Sequence, residues 1–350
     1  MPVPTLPRRL WRLVPPIGAG LLLGLLGLEV LARWSWYDGW QDPARHAGPE
    51  GEELPVVEAL LEMARPNLRA LNRNVYFRTN SRGIRGPEYE PRPGPGVFRI
   101  LVTGDSTTMG SGVPEEDRYT DRLERRLDAG GRGRRYEVVN VGLSGLSISH
   151  AVERLESLAP HYASQLYVYG FSTNDIEGPA YRTRPGGPTP VEAGRDYWAF
   201  VREVERSPSY LWRFLRARSP LRHAPAQPAE VIENFLENPA AWSDFLAGLD
   251  DFAETSRRAG VCGHVLLHPY LSDLDESHPY LEVYARVERA AVERGLTVSQ
   301  GFPYVAGRDA KALWVSLFDP HPNREGHALL AEALYDGLMR LPPECWEIHR

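Results

Sequence analysis

The stretch Arg99-Ile-Leu-Val-Thr-Gly-Asp-Ser-Thr-Thr-Met-Gly110 decides how the rest of the chain is interpreted. Residues 100–102 form a short apolar, partly β-branched run that is typical of a buried strand. Gly104 ends this run, and Asp105 and Ser106 follow at the carboxyl end of the predicted strand, where an open α/β sheet carries its chemistry. A serine on a tight turn into a helix presents its hydroxyl to a cleft and its N–H group to an anion. Because Gly-Asp-Ser is also ordinary turn chemistry, its meaning depends on what lies downstream.

Composition excludes several classes of protein. The chain has 350 residues and a net charge of −6, so no global basic field indicates a nucleic-acid partner. Its only cysteines, Cys262 and Cys345, exclude a disulfide scaffold and a cysteine-rich metal site. A single bridge between the two cysteines stays open at this point, as does the alternative that Cys262 is simply a small apolar side chain.

The N-terminal segment is basic and then apolar. The run from Leu13 to Ala32, interrupted only by Glu29, would give roughly 30 Å of helix, about the thickness of one bilayer core. Arginines 8, 9 and 12 precede the run, and aromatic residues 34, 36 and 37 follow it like an interfacial belt. We therefore predict a membrane anchor in residues 1–35, with a single transmembrane helix and the remaining chain outside the cytoplasm. A cleaved signal peptide and a buried core helix are the alternatives.

Downstream of a loop-rich extension at 36–97, strand and helix patterns alternate. Such alternation predicts a parallel sheet covered by helices on both faces, which is a three-layer α/β/α, flavodoxin-like domain over residues 98–341. Residues 176–240 interrupt the alternation and are rich in proline, arginine and aromatic residues. The further predicted strands are 136–141, 165–169, 264–268 and 296–299, and the predicted helices are 116–129, 147–158, 243–259, 280–294 and 323–340.

Four polar segments fall at predicted strand ends, in the order Gly104-Asp-Ser106, Asn140-Val-Gly142, Ser172-Thr-Asn-Asp175 and Asp319-Pro-His-Pro-Asn323. Together they resemble the SGNH, or GDSL, hydrolase family, and the resemblance runs from Ile100 to Leu338 outside the 176–240 insertion. The basic-apolar N-terminus followed by Asn80-Ser-Arg-Gly-Ile-Arg-Gly86 is similar to membrane-anchored bacterial members of that family.

The resemblance implies a catalytic apparatus. Ser106 is expected to attack an ester carbonyl, and His321 to take its proton, because imidazole titrates near neutral pH. Asp319 is expected to accept from His321 and fix its tautomer. The oxyanion is expected to be held by the N–H groups of Ser106 and Gly142 and by the amide of Asn174, which donates without carrying charge.

One spacing departs from many relatives, because only Pro320 separates Asp319 from His321. Residues i and i+2 of a strand project to the same side, so contact between the two is still expected. If that contact fails, a Ser–His dyad remains, and His327 is an alternative base.

The activity predicted from these residues is hydrolysis of a carboxylic ester, with O-acetyl esters among the candidates, through an acyl-enzyme on Ser106. The alternatives are acyl transfer in the acetylation of an exported polysaccharide, and a non-catalytic envelope binding protein. We expect no cofactor and no metal, since His264 and His268 share a strand face without a third ligand. The expected partners are an acylated polysaccharide or lipid as substrate and the membrane, without nucleic acid. The insertion is expected either to cap Ser106 or to pack on the domain's flank.

Overall fold

The structure is a computed structural model that describes residues 14–35, 63–72, 75–130, 133–176, 207–217, 228–316 and 319–347. The chain divides into two compact units. The described part of the smaller unit comprises 14–35 and 207–217, and the larger unit holds the other described residues.

Five parallel strands form the central sheet of the larger unit: β3 (Val97–Gly104), β4 (Arg135–Asn140), β5 (Leu166–Phe171), β6 (Cys262–Leu267) and β7 (Thr297–Gln300). Their spatial order is β4-β3-β5-β6-β7, so the first two strands of the sheet exchange places relative to the sequence. This is the predicted flavodoxin-like order. The chain reverses direction across the sheet between β3 and β5, the switch point at which open α/β sheets bind ligands.

Helices cover both faces of the sheet, which confirms the three-layer prediction. Alternate residues of β3 enter different cores: Leu101 packs with Leu155, Phe245 and Val283 in one cluster, while Ile100 packs in another cluster with Leu334. The covering helices are α3 (Tyr119–Ala129), α4 (Ile148–Leu158), α7 (Pro239–Ala259), α8 (Leu281–Glu293) and α10 (Arg324–Met339).

Most predicted element bounds lie within a few residues of the observed ones, and one predicted helix is interrupted near Arg118. The predicted helix 116–129 is broken into a 3-10 turn at Glu115–Asp117 and α3, because Arg118 is extended with φ −62° and ψ 146°. Its side chain is almost fully buried and donates to the carboxylate of Asp121 and to the carbonyl of Arg85. A long-range contact thus sets where the helix begins.

Short elements complete the larger unit. Before the sheet, β1 (Arg69–Asn72) and β2 (Val75–Arg78) form an antiparallel pair. After it, β8 (Trp314–Ser316) pairs with β9 (Asp319–Pro322). The remaining helices are α2 (Ser106–Met109), α6 (Pro228–Leu236) and α9 (Phe302–Val305).

The two cysteines form a disulfide, with Cα atoms 5.5 Å apart. Cys262 begins β6, and Cys345 lies in a 3-10 turn at Pro343–Trp346 whose Trp346 ring packs on Phe98. Of the two alternatives that the sequence left open for Cys262, the structure therefore has the bridge. It ties the C-terminal end of the chain to the amino edge of the sheet.

The smaller unit contains α1 (Val14–Ser35) and α5 (Tyr210–Ala217). The carboxylate of Glu29 accepts hydrogen bonds from the N–H groups of Tyr210 and Leu211 and from the hydroxyl of Ser209, so it caps the start of α5. These hydrogen bonds lower the pKa of Glu29 to about 2. Arg33 pairs with Glu29 and donates to the carbonyl of Pro208.

The prediction of a transmembrane helix is not supported. No helix within the described ranges has the length and apolar character needed to span a bilayer. Glu29 interrupts the apolar run of α1 and Arg33 follows it, and both side chains are bonded to the segment that begins α5.

The described residues of the 176–240 insertion belong to both units: 207–217 lie in the smaller unit, and 176 and 228–240 lie in the larger one. Residues 228–236 form α6, whose Phe235 ring packs edge-on against Phe171 and Phe245 in the same core cluster as Ile176. This portion fits the flank alternative. Two aromatic segments of the insertion suggest a cap: residues 197, 198 and 200 lie outside the described residues, and residues 210, 212 and 214 lie in α5 of the smaller unit.

Candidate active site

Ser106, His321 and Asp319 meet at the carboxyl edge of the sheet. The Oγ atom of Ser106 lies 2.7 Å from Nε2 of His321, and Nδ1 of His321 lies 2.5 Å from Oδ1 of Asp319. Since a carboxylate only accepts, Nδ1 carries the proton and Nε2 is left to accept from the serine hydroxyl. The imidazole is thereby held in the tautomer that a general base requires.

Local backbone structure places Ser106 at the first position of α2. Asp105 is the N-cap, and its Oδ1 accepts from the N–H of Thr107 at 2.9 Å. The sequence β3-Asp105-α2 is the strand-turn-helix predicted for Gly104-Asp-Ser106. Ser106 is buried, with 8% of its surface exposed.

The antiparallel hairpin β8-β9 places the acid and the base. Asp319 and His321 are i and i+2 of β9, and they project to the same side as expected from strand geometry. Asp319 is buried, while the side chain of His321 keeps about a fifth of its surface exposed. A buried carboxylate that orients a partly exposed imidazole suits proton exchange with a substrate in the cleft.

The three predicted oxyanion donors show different environments. The N–H of Ser106 belongs to the first turn of α2, where backbone N–H groups have no intrahelical acceptor. Asn174 is half-buried in a 3-10 turn at Thr173–Ile176 that directly follows β5. The N–H of Gly142 donates to Oδ1 of Asn140 at 3.0 Å. Gly142 can serve an oxyanion only if this hydrogen bond is shared or released.

Gly142 lies against α2, the helix that begins at Ser106. A Cβ at this position would lie 2.7 Å from Cγ2 of Thr108 and 2.9 Å from the backbone nitrogen of Met109. Any side chain would therefore push the loop after β4 away from α2. The close approach of the two backbones therefore requires glycine at this position.

A hydrogen-bonded chain behind Ser106 was missed from sequence. The hydroxyl of Ser172 donates to Oδ1 of Asp105 at 2.8 Å, so its oxygen is left to accept from Nδ1 of His268 at 3.2 Å. His268 is buried, and burial lowers its pKa to about 4, so it is neutral at pH 7. The available signal was the position of both residues directly after strands β5 and β6.

Other histidines are placed away from this role. His327 is fully buried, burial holds its pKa well below the usual value, and its Nδ1 accepts from the N–H of Tyr119. His264 is fully buried and bonds to the hydroxyls of Thr297 and Ser299. In the ranges that the structure describes, no group of three or more His, Cys, Asp or Glu residues could hold a metal ion.

One of two sequence comparisons with known proteins identifies a family. Residues 102–329 match the model of the GDSL-like lipase/acylhydrolase family. Among curated protein sequences, none matches the chain significantly.

Solved structures that this chain resembles include TesA and two esterases. TesA is 18% identical, with 69% of this chain and 98% of that chain covered and a TM-score of 0.42. The psychrotrophic esterase EstA from Pseudoalteromonas sp. is 15% identical, with 69% and 97% covered and a TM-score of 0.41. The acetyl xylan esterase AlAXEase is 13% identical, with 68% and 98% covered and a TM-score of 0.42.

Proposed function

Because the chain belongs to the GDSL-like lipase/acylhydrolase family and is an ester-cleaving hydrolase, we propose that it hydrolyses a carboxylic ester through an acyl-enzyme on Ser106. The observation that carries this proposal is the continuous hydrogen-bonded array from Asp319 through His321 to Ser106. A binding protein has no need of a serine hydroxyl aligned with a base that is itself oriented by a carboxylate.

The geometry supports the following sequence of steps. Oγ of Ser106 attacks the ester carbonyl carbon while Nε2 of His321 takes the hydroxyl proton, and the Asp319 carboxylate stabilises the imidazolium. The carbonyl oxygen becomes an oxyanion, which the N–H groups of Ser106 and Gly142 and the amide of Asn174 are proposed to bind. The protonated imidazole gives its proton to the departing alkoxide, leaving the acyl group on Oγ.

Water completes the cycle. His321 removes a proton from a water molecule, the hydroxide attacks the acyl carbonyl, and the carboxylic acid leaves as Oγ recovers its proton. If a sugar hydroxyl replaces this water, the same residues perform acyl transfer. O-acetyl groups on an exported polysaccharide, or a lipid ester, are the substrate classes we propose.

A single experiment tests the nucleophile. The purified chain is incubated with a p-nitrophenyl alkylphosphonate, which phosphonylates activated serines with release of p-nitrophenolate, and is then digested for mass spectrometry. We expect the adduct on Ser106 together with loss of p-nitrophenyl acetate hydrolysis, and no adduct in Ser106→Ala. Labelling at another serine, or hydrolysis that persists after stoichiometric labelling, contradicts the proposal. Addition of an O-deacetylated oligosaccharide to the acetyl ester reaction distinguishes hydrolase from transferase by the fate of the acetyl group.

We also propose that the catalytic domain works outside the cytoplasm. The Cys262–Cys345 bridge supports this, because structural disulfides persist in oxidising compartments and are rare in the cytosol. An alkaline-phosphatase fusion joined after residue 60 is expected to be active, and cell fractionation reports whether the chain is held at the membrane. An inactive fusion, or free thiols at both cysteines in protein taken from cells, contradicts the extracytoplasmic assignment.

A further inference from the structure

The turn Asn80–Gly86 lies upstream of the family match, yet it contacts loops on two sides of Ser106. The turn is held internally: Oδ1 of Asn80 accepts from the N–H groups of Arg82 and Ile84, and Nδ2 of Asn80 donates to the carbonyl of Pro87. Ile84 is fully buried. The turn is therefore a packed, internally bonded part of the larger unit.

Arg85 connects this turn to the end of the nucleophile helix. Its side chain is buried, with Nη1 donating to the carbonyls of Met109 at 3.1 Å and Gly110 at 2.6 Å, and Nη2 donating to the carbonyl of Val113 at 2.6 Å. Met109 is the last residue of α2, which begins at Ser106. Arg85 thus holds the carboxyl end of the four-residue helix whose first residue is the nucleophile.

Arg154 connects the same turn to the other loop of the site. This α4 residue donates from Nε to the carbonyl of Val141 at 2.7 Å and from Nη2 to the carbonyl of Gly83 at 3.0 Å. Val141 immediately precedes Gly142. One guanidinium therefore joins the turn to the loop that carries a proposed oxyanion donor.

The loop at residues 109–113, whose carbonyls accept from Arg85, also contacts the β8-β9 hairpin that carries Asp319 and His321. A Cβ on Gly112 would lie 2.6 Å from a methyl carbon of Val315 in β8. In the same hairpin Ser316 of β8 pairs with Asp319 of β9. Displacement of residues 109–113 would therefore be transmitted to Asp319 as well as to Ser106.

We propose that the turn Asn80–Gly86 is a brace for the active site, in which Arg85 and Arg154 are positioning residues that hold the loops of Ser106 and Gly142 at their catalytic separation. This inference rests on the proposed esterase function. A segment outside the residues that match the family model would then set the distances within the oxyanion hole.

The chemistry of the two side chains fits this task. Arg85 is buried and Arg154 is half-buried, each against backbone carbonyls, and desolvation lowers the pKa of Arg85 to about 9 and of Arg154 to about 10. Both pKa values still exceed 7, so each guanidinium keeps its charge at neutral pH. A planar guanidinium reaches several carbonyls with fixed geometry, whereas an ammonium cannot, so lysine is not expected to replace it.

Arg99 provides a matched control. It is a fully buried arginine that donates to the carbonyl of Pro91 in the same extension and pairs with Glu137. It lies in β3, five residues before Gly104, so it is roughly 16 Å along the strand from the site. Its loss removes a comparable bond between the extension and the sheet without touching either active-site loop.

The test compares turnover per functional site rather than total activity. Wild type, Arg85→Lys, Arg85→Met, Arg154→Met and Arg99→Lys are titrated with the phosphonate, and kcat and KM for p-nitrophenyl acetate are measured together with thermal stability. We expect the Arg85 and Arg154 variants to lose about 10- to 100-fold in kcat per titrated site, because displacement of about 1 Å costs about that much. Arg99→Lys should lose stability and keep its kcat.

Chemical rescue separates positioning from folding. Guanidinium at low millimolar concentration should raise the kcat of Arg85→Ala and leave that of Arg99→Ala unchanged. The brace is refuted if folded Arg85→Met and Arg154→Met have the same turnover per titrated site as wild type. It is also refuted if Arg99→Lys loses as much turnover per titrated site as the Arg85 and Arg154 variants. If the Arg85 variants do not fold, Arg154→Met alone decides. A wild type that hydrolyses no ester refutes the proposed function instead, so the two failures are distinct.

Discussion

Oγ of Ser106 lies within hydrogen-bond distance of Nε2 of His321, at 2.7 Å, although 215 residues separate them in the chain. Because each depends on the other for reaction, we expect Ser106→Ala and His321→Ala each to lower kcat for p-nitrophenyl acetate by about 10⁴-fold or more, and the double variant to be little worse. Steady-state kinetics on protein checked by circular dichroism provides the measurement.

Asp319→Asn should cost roughly 10- to 100-fold less than loss of the serine, since the acid orients the base without reacting itself. His327→Asn is the matched control, because that imidazole accepts from the backbone of Tyr119. If His321→Ala retained near-normal turnover and His327→Asn lost it, the base would have to be reassigned to His327.

The second prediction concerns the oxyanion hole. Asn174→Ala removes one proposed donor and should lower kcat by about 10²- to 10³-fold with KM nearly unchanged, because the bond forms only as charge develops on the oxygen. Asn234→Ala, at an α6 asparagine that bonds to Asn238, is the control and should leave both constants unaltered. A rise in KM at constant kcat would mean that Asn174 binds the ground state and the transition state equally.

Local sequence patterns predict a large part of this site, but they do not predict the side-chain contacts between distant strand ends. The apolar run before Ser106 and the i, i+2 spacing of Asp319 and His321 are local patterns, and local patterns fix strand ends and the side to which residues project. The bond between Ser172 and Asp105 joins two strand ends 67 residues apart. Such bonds depend on the tertiary separation of side chains, which single-sequence periodicity does not encode.

Tertiary contacts also account for the other differences between the predicted and the observed structure. Arg118 interrupts a good helical pattern because a carbonyl of the extension and Asp121 lie within its reach. The pairing of Cys262 with Cys345 requires the C-terminal turn to fold back onto the start of β6. The predicted transmembrane helix relied on apolar content in one window, and hydropathy along a sequence does not record that Glu29 and Arg33 bond to the start of α5.

The third prediction concerns the disulfide. Loss of the cross-link between Cys262 and Cys345 frees a loop with a sequence separation of 83 residues. The chain-entropy relation gives a loss of about 4.5 kcal/mol in the free energy of unfolding for a loop of this size. Urea denaturation of Cys262→Ser/Cys345→Ser should show the loss, while kcat stays within about twofold of wild type because the bridge lies at the amino edge of the sheet. Unchanged stability would indicate that the bridge does not form in the purified protein.

The last prediction concerns three buried histidines and the dependence of stability on pH. Burial lowers the pKa of His264 to about 3 and of His268 to about 4, and holds that of His327 well below its usual value. In the unfolded chain each returns to about 6.5. Between about pH 6.5 and pH 4 the unfolded state therefore binds more protons than the folded state, so stability must fall as the pH falls.

Each such histidine contributes a slope of about 1.4 kcal/mol per pH unit in this window. His264→Gln keeps a polar group near Thr297 and Ser299 but removes the titrating site. In urea unfolding between pH 7.5 and 4.5, the slope of the free energy of unfolding against pH should therefore be smaller by the contribution of about one proton. Val265→Ala, also buried in β6, is the control: it should lower the free energy of unfolding equally at every pH and keep the wild-type slope. A His264→Gln curve parallel to wild type would mean that His264 is already protonated in the folded state, which its two hydroxyl partners and complete burial argue against.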